Sequence, residues 1–322
     1  MNSTLRFMHA MAVLAIVCFS PSSQAQQDER APGASASGPA TQVRGIGGSA
    51  GPGDLVIGTG AFDGVAANSA YSVDTVSANS MPIFDAPVGG MTVDVANSRV
   101  LFTTSTADTA DVDWSTLMAW PLAGGTPTVV GTITVTGIGP IRIDGLAFSG
   151  GTLYGYLQFD TAGNTAGLYS IDPGTLEATP VAADQSTNGI SGLGAHPVTG
   201  QLYVANDTAN ELQALALDGS LTTVAAYPAG LVDIDGLTIG NGAAFLVTDE
   251  AGDIQVYDFG GGTFSTLASP FTTEDTFSGA GLVPPQALPE ARPVPAIGTL
   301  AWILMMMLVS GLGIAWLQRS PD

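Results

Sequence analysis

The stretch Ile143-Asp144-Gly145-Leu146-Ala147-Phe148 returns later in the chain as Ile234-Asp235-Gly236-Leu237-Thr238-Ile239. Two variants accompany these copies, Ile190-Ser191-Gly192-Leu193 and Phe277-Ser278-Gly279-Ala280-Gly281-Leu282. The central glycines are 47, 44 and 43 residues apart, and Gly90 precedes the first of them by 55. A period of roughly 40–50 residues is typical of repeat folds in which each repeat is one supersecondary unit.

Each copy is followed by three short segments rich in β-branched and aromatic residues, separated by turns that contain glycine. In the unit that starts at Gly145 these segments are Thr152–Tyr156, Leu168–Ile171 and Ala178–Ala182. Short alternating runs between turn residues predict antiparallel strands, and four strands per unit at this period predict a β-propeller blade. The sequence therefore predicts an all-β propeller of about five four-stranded blades, and a sixth blade would have to be hidden in the second.

The first unit lacks an inner strand. Its second, third and fourth strands are predicted at Asp54–Gly58, Ala70–Asp74 and Met81–Phe84. We expect Gly279–Val283 to supply the first strand, because this pairing joins the N- and C-terminal strands in one sheet and removes an open edge. The predicted propeller then covers residues 54–284.

Blade four carries a family resemblance. The run from Ala195 through His196-Pro197-Val198-Thr199-Gly200 to Asn206 resembles the P-x-T-G-x-L-Y-V-x-N stretch of YVTN-type and lactonase-like propellers. The Asp-Gly-Leu-Ala start of blade three resembles NHL and gluconolactonase-type blades. The likeness covers roughly residues 88–283 and implies the fold more than an activity, because such propellers carry many functions.

The composition excludes several classes of function. The chain has no lysine and a net charge of −21, and Arg99 and Arg142 are the only cations between Asp54 and Pro284. Such a domain repels phosphate backbones, so we predict no nucleic-acid partner. The single cysteine, Cys18, lies in the predicted leader, which leaves the mature chain without a disulfide, a thiolate metal site or a cysteine nucleophile.

The N-terminal region predicts export. A short apolar run, Met11–Phe19, follows Arg6, and small residues end at Ala25. This pattern is typical of a signal peptide, here residues 1–25 with cleavage after Ala25. Residues 26–53 consist mainly of small and polar residues and predict a disordered linker.

The C-terminal region predicts a membrane anchor. Residues 296–317 form an uncharged apolar run long enough for a transmembrane helix, between a Pro-rich stalk at 285–295 and a short cytoplasmic tail at 318–322. Val294-Pro295-Ala296-Ile297, the apolar run and Arg319 together resemble the IPTL-CTERM and PEP-CTERM sorting tails of Gram-negative bacteria. The resemblance implies insertion into the inner membrane with the propeller in the periplasm, and processing by an exosortase-type protease. Permanent anchoring and cleavage with delivery to the surface or matrix both stay open, because Ala296-Ile297 replaces the usual Thr-Leu.

Two sets of aspartates are candidate Ca²⁺ ligands, and no other cofactor is predicted. Asp108, Asp111 and Asp113 fall in an insertion of blade two, where carboxylates and carbonyls together would suit Ca²⁺; the alternative is a solvated loop. A second set lies at the starts of inner strands, which line a propeller channel: Asp144, Asp233 and Asp235. Gluconolactonase-like enzymes hold a divalent cation in such a place. The alternative is that each carboxylate accepts N–H groups at its own Asp-Gly turn.

No nucleophile and base stand out. His196 is the only histidine after the leader and lies in a turn, which disfavours a Ser-His-Asp triad. Four aromatic residues belong either to the core or to a sugar-stacking surface: Trp114, Trp120, Tyr154 and Tyr203. The sequence favours a non-enzymatic, surface-displayed or secreted propeller that binds a glycan or protein ligand. The alternative is a divalent-metal-dependent hydrolase of the lactonase type.

Overall fold

A computed structural model describes residues 44–59, 69–104, 115–161, 163–248, 253–267 and 277–285. Apart from one short 3-10 turn at Val95–Asn97, the regular structure in these ranges consists of β-strands. The strands form five antiparallel sheets of four or five strands, each built of consecutive neighbours apart from the first, and one two-stranded ribbon. This confirms the predicted all-β propeller of five blades.

Blade one contains strands from both ends of the described chain, in the spatial order β1-β4-β3-β2-β23. They are β1 (Arg44–Gly45), β2 (Asp54–Thr59), β3 (Ser69–Asp74), β4 (Ser80–Asp85) and β23 (Phe277–Leu282). Blade two consists of β5 (Met91–Asp94), β6 (Arg99–Thr104), β7 (Thr116–Pro121) and β8 (Thr128–Thr132). A two-stranded ribbon follows, formed by β9 (Thr134–Val135) and β10 (Gly139–Pro140).

The other three blades each follow the chain order from the inner to the outer strand. Blade three consists of β11 (Gly145–Ser149), β12 (Thr152–Leu157), β13 (Gly167–Ile171) and β14 (Ala178–Ala183). Blade four consists of β15 (Ile190–Ala195), β16 (Leu202–Asn206), β17 (Glu211–Leu215) and β18 (Leu221–Ala226). Blade five consists of β19 (Ile234–Gly240), β20 (Ala243–Thr248), β21 (Ile254–Asp258) and β22 (Thr263–Leu267).

The ring closes as the sequence predicted. Strand β23 pairs antiparallel with β2, which places Leu282 opposite Leu55 and Gly279 opposite Gly58. The last strand of the repeat thus serves as the inner strand of the first blade. Strand β23 also packs against the inner strands of the two neighbouring blades, β19 and β5, so the inner strands form a closed ring.

Residues 44–53, within the range predicted as linker, run along the outer edge of blade one. Strand β1 pairs with β4, with Arg44 opposite Asp85. The chain then crosses to blade two, where the Ala50 amide donates to the Leu122 carbonyl at 3.0 Å. This strap gives blade one a fifth strand and ties it to its neighbour.

The extra length of the second unit does not form a sixth blade in the described residues. Its part after β8 folds into the ribbon β9-β10, and Thr134 bridges to Glu177 of the next blade. Its other part, which includes Asp108, Asp111 and Asp113, lies outside the described residues.

The hydrophobic core is divided among the five interfaces between blades. On β6, for example, Val100 and Phe102 pack in the cluster shared with blade one, while Leu101 packs in the cluster shared with blade three. Since successive side chains of a strand point to opposite faces, a blade that is buried on both faces needs apolar residues at successive positions. This explains why the inner and middle strands read as nearly continuous apolar runs.

The repeated glycines lie where neighbouring inner strands approach most closely. A Cβ atom at Gly145 would lie 2.8 Å from Leu193 Cβ, and one at Gly192 would lie 2.9 Å from Leu237 Cβ. Gly236 faces Gly279 and Ala280 in the same way, Gly279 faces Gly89, and Gly90 faces Asp144 and Gly145. The period found in the sequence is therefore a ring of close contacts around the propeller axis, since only glycine leaves room for the adjacent strand.

Because neighbouring strands run in opposite directions, their turns lie on two opposite faces of the propeller, called here the mouth face and the exit face. The mouth face contains the segments that enter the inner strands and the turns between second and third strands: 141–144, 158–161, 163–166, 184–189, 206–210 and 231–233. The exit face contains the turns between first and second strands: 95–98, 149–151, 196–201 and 240–242. Turns between third and fourth strands, called outer turns below, lie at the rim.

No helix in the described ranges is long and apolar enough to cross a membrane. The predicted helix at 296–317 lies outside them. The same holds for the signal peptide with Ala25, and for the sorting motif Val294-Pro295-Ala296-Ile297 with Arg319.

Candidate functional site

The mouth face of blade three holds a buried ion pair. Arg142 lies in the segment that leads into β11, and its Nε is 2.6 Å from Asp144 Oδ1. Asp144 is fully buried and Arg142 is 8 % exposed. The second carboxylate oxygen, Oδ2, accepts the Gln158 amide at 3.0 Å, so Asp144 also holds the end of β12 to the start of β11.

These contacts define the surroundings of Asp144, for which the sequence left a metal site and an Asp-Gly turn open. Its described N–H partner is Gln158, which lies just after β12. The residue therefore joins two strands and a buried arginine. Its place was predictable from the repeat, but its partners were not.

Polar atoms at the same end of blade three retain hydrogen-bonding capacity. Arg142 Nη2, Gln158 Oε1 and Asn164 Oδ1 are buried and have no hydrogen-bond partner among the protein atoms of the described chain. A buried polar group without a partner costs about 1–3 kcal/mol. The mouth face of blade three thus contains one donor group and two acceptors that are buried and unpaired among the described residues.

A second set of polar groups lies at the mouth face between blades four and five. Asp207 follows β16, and its Oδ2 accepts the Ser191 hydroxyl at 3.1 Å. Its Oδ1 accepts the Ile234 amide at 3.2 Å, and the single proton of the Ser191 hydroxyl is shared between Asp207 Oδ2 and the Ile234 carbonyl. One carboxyl group therefore fixes the starts of the two neighbouring inner strands β15 and β19.

The pKa of Asp207 is raised to about 8, chiefly by burial and in addition by the nearby carboxylates of Asp235 and Asp233. Hydrogen bonds from Ile234 and Ser191 oppose this effect without cancelling it. At neutral pH the Asp207 carboxyl group accordingly holds a proton for much of the time. Sequence analysis missed this residue, because its environment comes from segments 16 and 27 positions away.

The predicted metal ligands do not converge. Asp144 is paired with Arg142, whereas Asp233 and Asp235 lie in the electrostatic field of Asp207. Asp233 has a left-handed backbone, with φ of 49°, just before β19. Among the described residues, no group of three or more Asp, Glu, His or Cys side chains is arranged to hold a metal ion. The residues present therefore do not fit the channel-mouth cation that the gluconolactonase resemblance implies.

Asp184 forms a third polar node, also missed from the sequence. It accepts the Tyr156 hydroxyl at 2.7 Å, the Ser186 amide at 2.9 Å and the Asn188 amide at 2.7 Å. Although burial acts to raise it, the pKa of Asp184 is lowered by these hydrogen bonds, with that from Tyr156 the strongest. The spacing Asp184-x-Ser186 is the signal that could have indicated such a turn.

His196 and the aromatic residues have structural places. His196 lies on the exit face, and its Nδ1 accepts the amides of Val198 and Thr199, each at 3.2 Å. Trp120 is fully buried against Phe84 and donates through Nε1 to the Gly125 carbonyl at 3.0 Å. Trp120 thus belongs to the core and not to a sugar-stacking surface, while Tyr203 stacks against Phe259 with ring centroids 5.2 Å apart.

No protein-family model matches the chain, and no curated protein matches it. Solved structures do match. One is the crystal structure of a nidogen/laminin complex, 12% identical, which covers 72% of this chain and 99% of that chain with a TM-score of 0.46. Another is a structural-genomics protein of unknown function from Bacteroides thetaiotaomicron, 14% identical, which covers 76% of this chain and 71% of that chain, also with a TM-score of 0.46. The assignment as a five-bladed propeller rests on the strand topology itself.

Proposed function

We propose that this chain is an exported, non-enzymatic propeller that binds or scaffolds a partner in the cell envelope or extracellular matrix of a Gram-negative bacterium. The observation that carries the proposal is the buried ion pair of Arg142 and Asp144. A lactonase-type hydrolase would use Asp144 as a metal ligand. Its carboxylate is instead committed to a guanidinium group, whose positive charge at close range disfavours a divalent cation.

The charge of the propeller limits the class of ligand. Each of the three arginines in the described ranges pairs with an aspartate: Arg44 with Asp85, Arg99 with Asp94, and Arg142 with Asp144. Carboxylates far outnumber these arginines and the chain has a net charge of −21, so the surface potential is negative. A neutral glycan or a protein with a basic surface suits such a domain better than an anionic polymer.

The proposed function also includes export of the chain to the outer side of the inner membrane. The predicted signal peptide brings the chain across the inner membrane, and the C-terminal tail inserts there, where an exosortase-type protease recognises the sorting motif. The membrane and this protease are therefore the first partners. Mass spectrometry of the protein from cells tests processing: a mature chain that still contains Trp316 would show that the tail is a permanent anchor.

A glycan array probed with the full chain in mild detergent tests binding. We expect selective binding that is lost in Ala209→Arg, on the mouth face, and retained in Val198→Arg, on the exit face. The two positions form a matched pair, because both residues are exposed and both receive the same side chain. Binding that survives Ala209→Arg but not Val198→Arg would move the ligand to the other face.

Metal analysis and a lactone assay test the alternative. We expect no stoichiometric divalent cation in the purified chain and no lactone hydrolysis that a chelator abolishes. A tightly bound Ca²⁺ together with chelator-sensitive hydrolysis would contradict the binding proposal and establish the hydrolase.

A further inference from the structure

The path of the chain as it leaves the propeller is fixed by hydrogen bonds. After β23 ends at Leu282, the Val283 amide donates to the Asp54 carbonyl at 2.9 Å. The Gly53 amide donates to the Val283 carbonyl at 2.8 Å, and Val283 is itself buried. The C-terminal end of the innermost strand is therefore held in place up to Val283, and the described chain departs at Pro284–Pro285.

This departure point lies on the exit face. Strand β23 is an inner strand whose start, at Ser278, contacts Val88 in the segment that enters β5. Its end lies beside the start of β2, where the other blades have their turns between first and second strands. The turn that contains His196 and Val198 is the equivalent position in blade four. The point where the chain leaves the propeller therefore lies on the exit face, together with these turns.

The predicted stalk is too short to reach around the propeller. Residues 285–295, if fully extended as a proline-rich segment, span about 34 Å. A path from the exit point to the mouth face would cross four strand spacings to the rim of blade one and then the length of a six-residue strand. That path measures about 40 Å before side chains lengthen it.

We infer that the propeller is held with its exit face toward the membrane and its mouth face turned away, so that external partners meet the mouth face. The inference rests on the proposed C-terminal anchoring. It holds equally if a protease replaces the predicted helix by another attachment at the same end, because the exit point does not change. The polar groups around Arg142, Asp184 and Asp207 then lie on the side that ligands approach.

Energy transfer from the protein to labelled lipid tests this orientation. The chain after the signal peptide has no cysteine, so Ala209→Cys and Val198→Cys each provide one labelling site. The chain without its signal peptide, residues 26–322, is inserted into vesicles of phosphatidylethanolamine and phosphatidylglycerol that carry an acceptor dye on the lipid. Because the two sites lie on opposite faces, about 20 Å apart along the axis, we expect about twofold or more stronger quenching of the donor at Val198.

The outcomes separate the orientation from the proposed function. Flotation on a density gradient first shows whether the protein is anchored. Equal quenching at the two sites, or stronger quenching at Ala209, in protein that floats with the vesicles would overturn the orientation alone. Protein that does not float would overturn the anchoring, and the orientation with it.

Discussion

Aspartates of the outer turns and aspartates of the mouth face meet opposite surroundings in the same molecule. In the outer turn of blade three, Asp172 is exposed and accepts the amides of Gly174 and Thr175 at 2.7 and 3.0 Å. Asp74 does the same for Val76 and Ser77 in blade one. On the mouth face, Asp144 is buried beside Arg142, and Asp207 is held between two inner strands.

The pKa values separate the two regions. Backbone hydrogen bonds lower the pKa of Asp74 and of Asp172, with those from Ser77 and Gly174 the strongest, and the Ser220 hydroxyl does so for Asp218. Burial instead raises the pKa of Asp207. The outer turns are complete within four residues of sequence, whereas the mouth depends on the assembly of neighbouring blades. Substitutions should therefore be mild in the first region and severe in the second.

The largest difference in the loss of unfolding free energy is expected between substitutions of a buried and an exposed arginine. Arg142→Ala leaves the Asp144 carboxylate buried without its counter-charge, and removing one partner of a buried pair costs about 3–5 kcal/mol of unfolding free energy. Arg44→Ala is the control, because the Arg44 side chain is 75 % exposed, and exposed pairs are worth about 0–1 kcal/mol. Urea unfolding of both variants measures the two losses, and losses of equal size would contradict the comparison.

A smaller but clear difference is expected for glycines. Gly279→Ala places a methyl group against the Gly89 carbonyl in the ring of inner strands, and overpacking of this kind costs about 1–3 kcal/mol. Gly174→Ala in the outer turn meets only the exposed carboxylate of Asp172, at 3.2 Å, and should change stability by less than about 0.5 kcal/mol. If Gly279→Ala and the wild type have the same urea midpoint of unfolding, the inner strands are farther apart than described.

The third test concerns pH. The pKa of Asp207 is about 8 in the folded chain and has its ordinary value of 3.8 in the unfolded chain, so the folded state holds its proton more tightly. The stabilisation from this protonation is complete below pH 4 and is lost as the pH rises to about 8. Asp207→Asn should remove this dependence of stability on pH. Because Asp207 is only partly buried, we expect the variant to be more stable than the wild type at pH 8 by about 2 kcal/mol. Unfolding curves at several pH values that keep the wild-type slope would exclude Asp207 as its source.

The smallest effect on stability is expected for Asp172, whose contribution depends on pH in the opposite direction to that of Asp207. Hydrogen bonds lower the pKa of Asp172, so its contribution to stability is present above the unfolded value of 3.8 and is lost as the pH falls below it. Because the side chain is exposed, we expect Asp172→Asn to lower Tm only slightly at pH 7 and not at all in strong acid. Calorimetry at the two pH values measures this, and a large fall in Tm at pH 7 would mean that the outer turn is not self-contained.

Much of the fold was predictable because its signals are local. Alternating residues gave the strands, Gly and Asp gave the turns, and the 43–47-residue period gave the blades. The closing pair of β23 and β2 was predictable too, since one unit lacked a first strand and another had one to spare. The repeated glycines were recognised, but their reason, the contact between adjacent inner strands, became visible only in the structure.

The candidate site was far less predictable. Asp144, Asp233 and Asp235 were found through the repeat, but the sequence left open whether they bind a metal or cap their own turns, and it did not indicate that Asp144 pairs with Arg142. Asp184 and Asp207 were missed, although hydrogen bonds to each of them hold several segments of the mouth face together. Their partners come from other strands and blades, and no short sequence motif indicates contacts between such distant residues.

The sequence by itself determined the blade, the outer turns and the strand that closes the ring, because each depends on residues a few positions apart or on a regular period. Only the tertiary structure decided which carboxylates are buried, which one meets Arg142 and which one keeps a proton at neutral pH. The physical reason is that charge and burial at the mouth come from the packing of one blade against the next, which brings together residues such as Ser191 and Ile234 that are 43 positions apart.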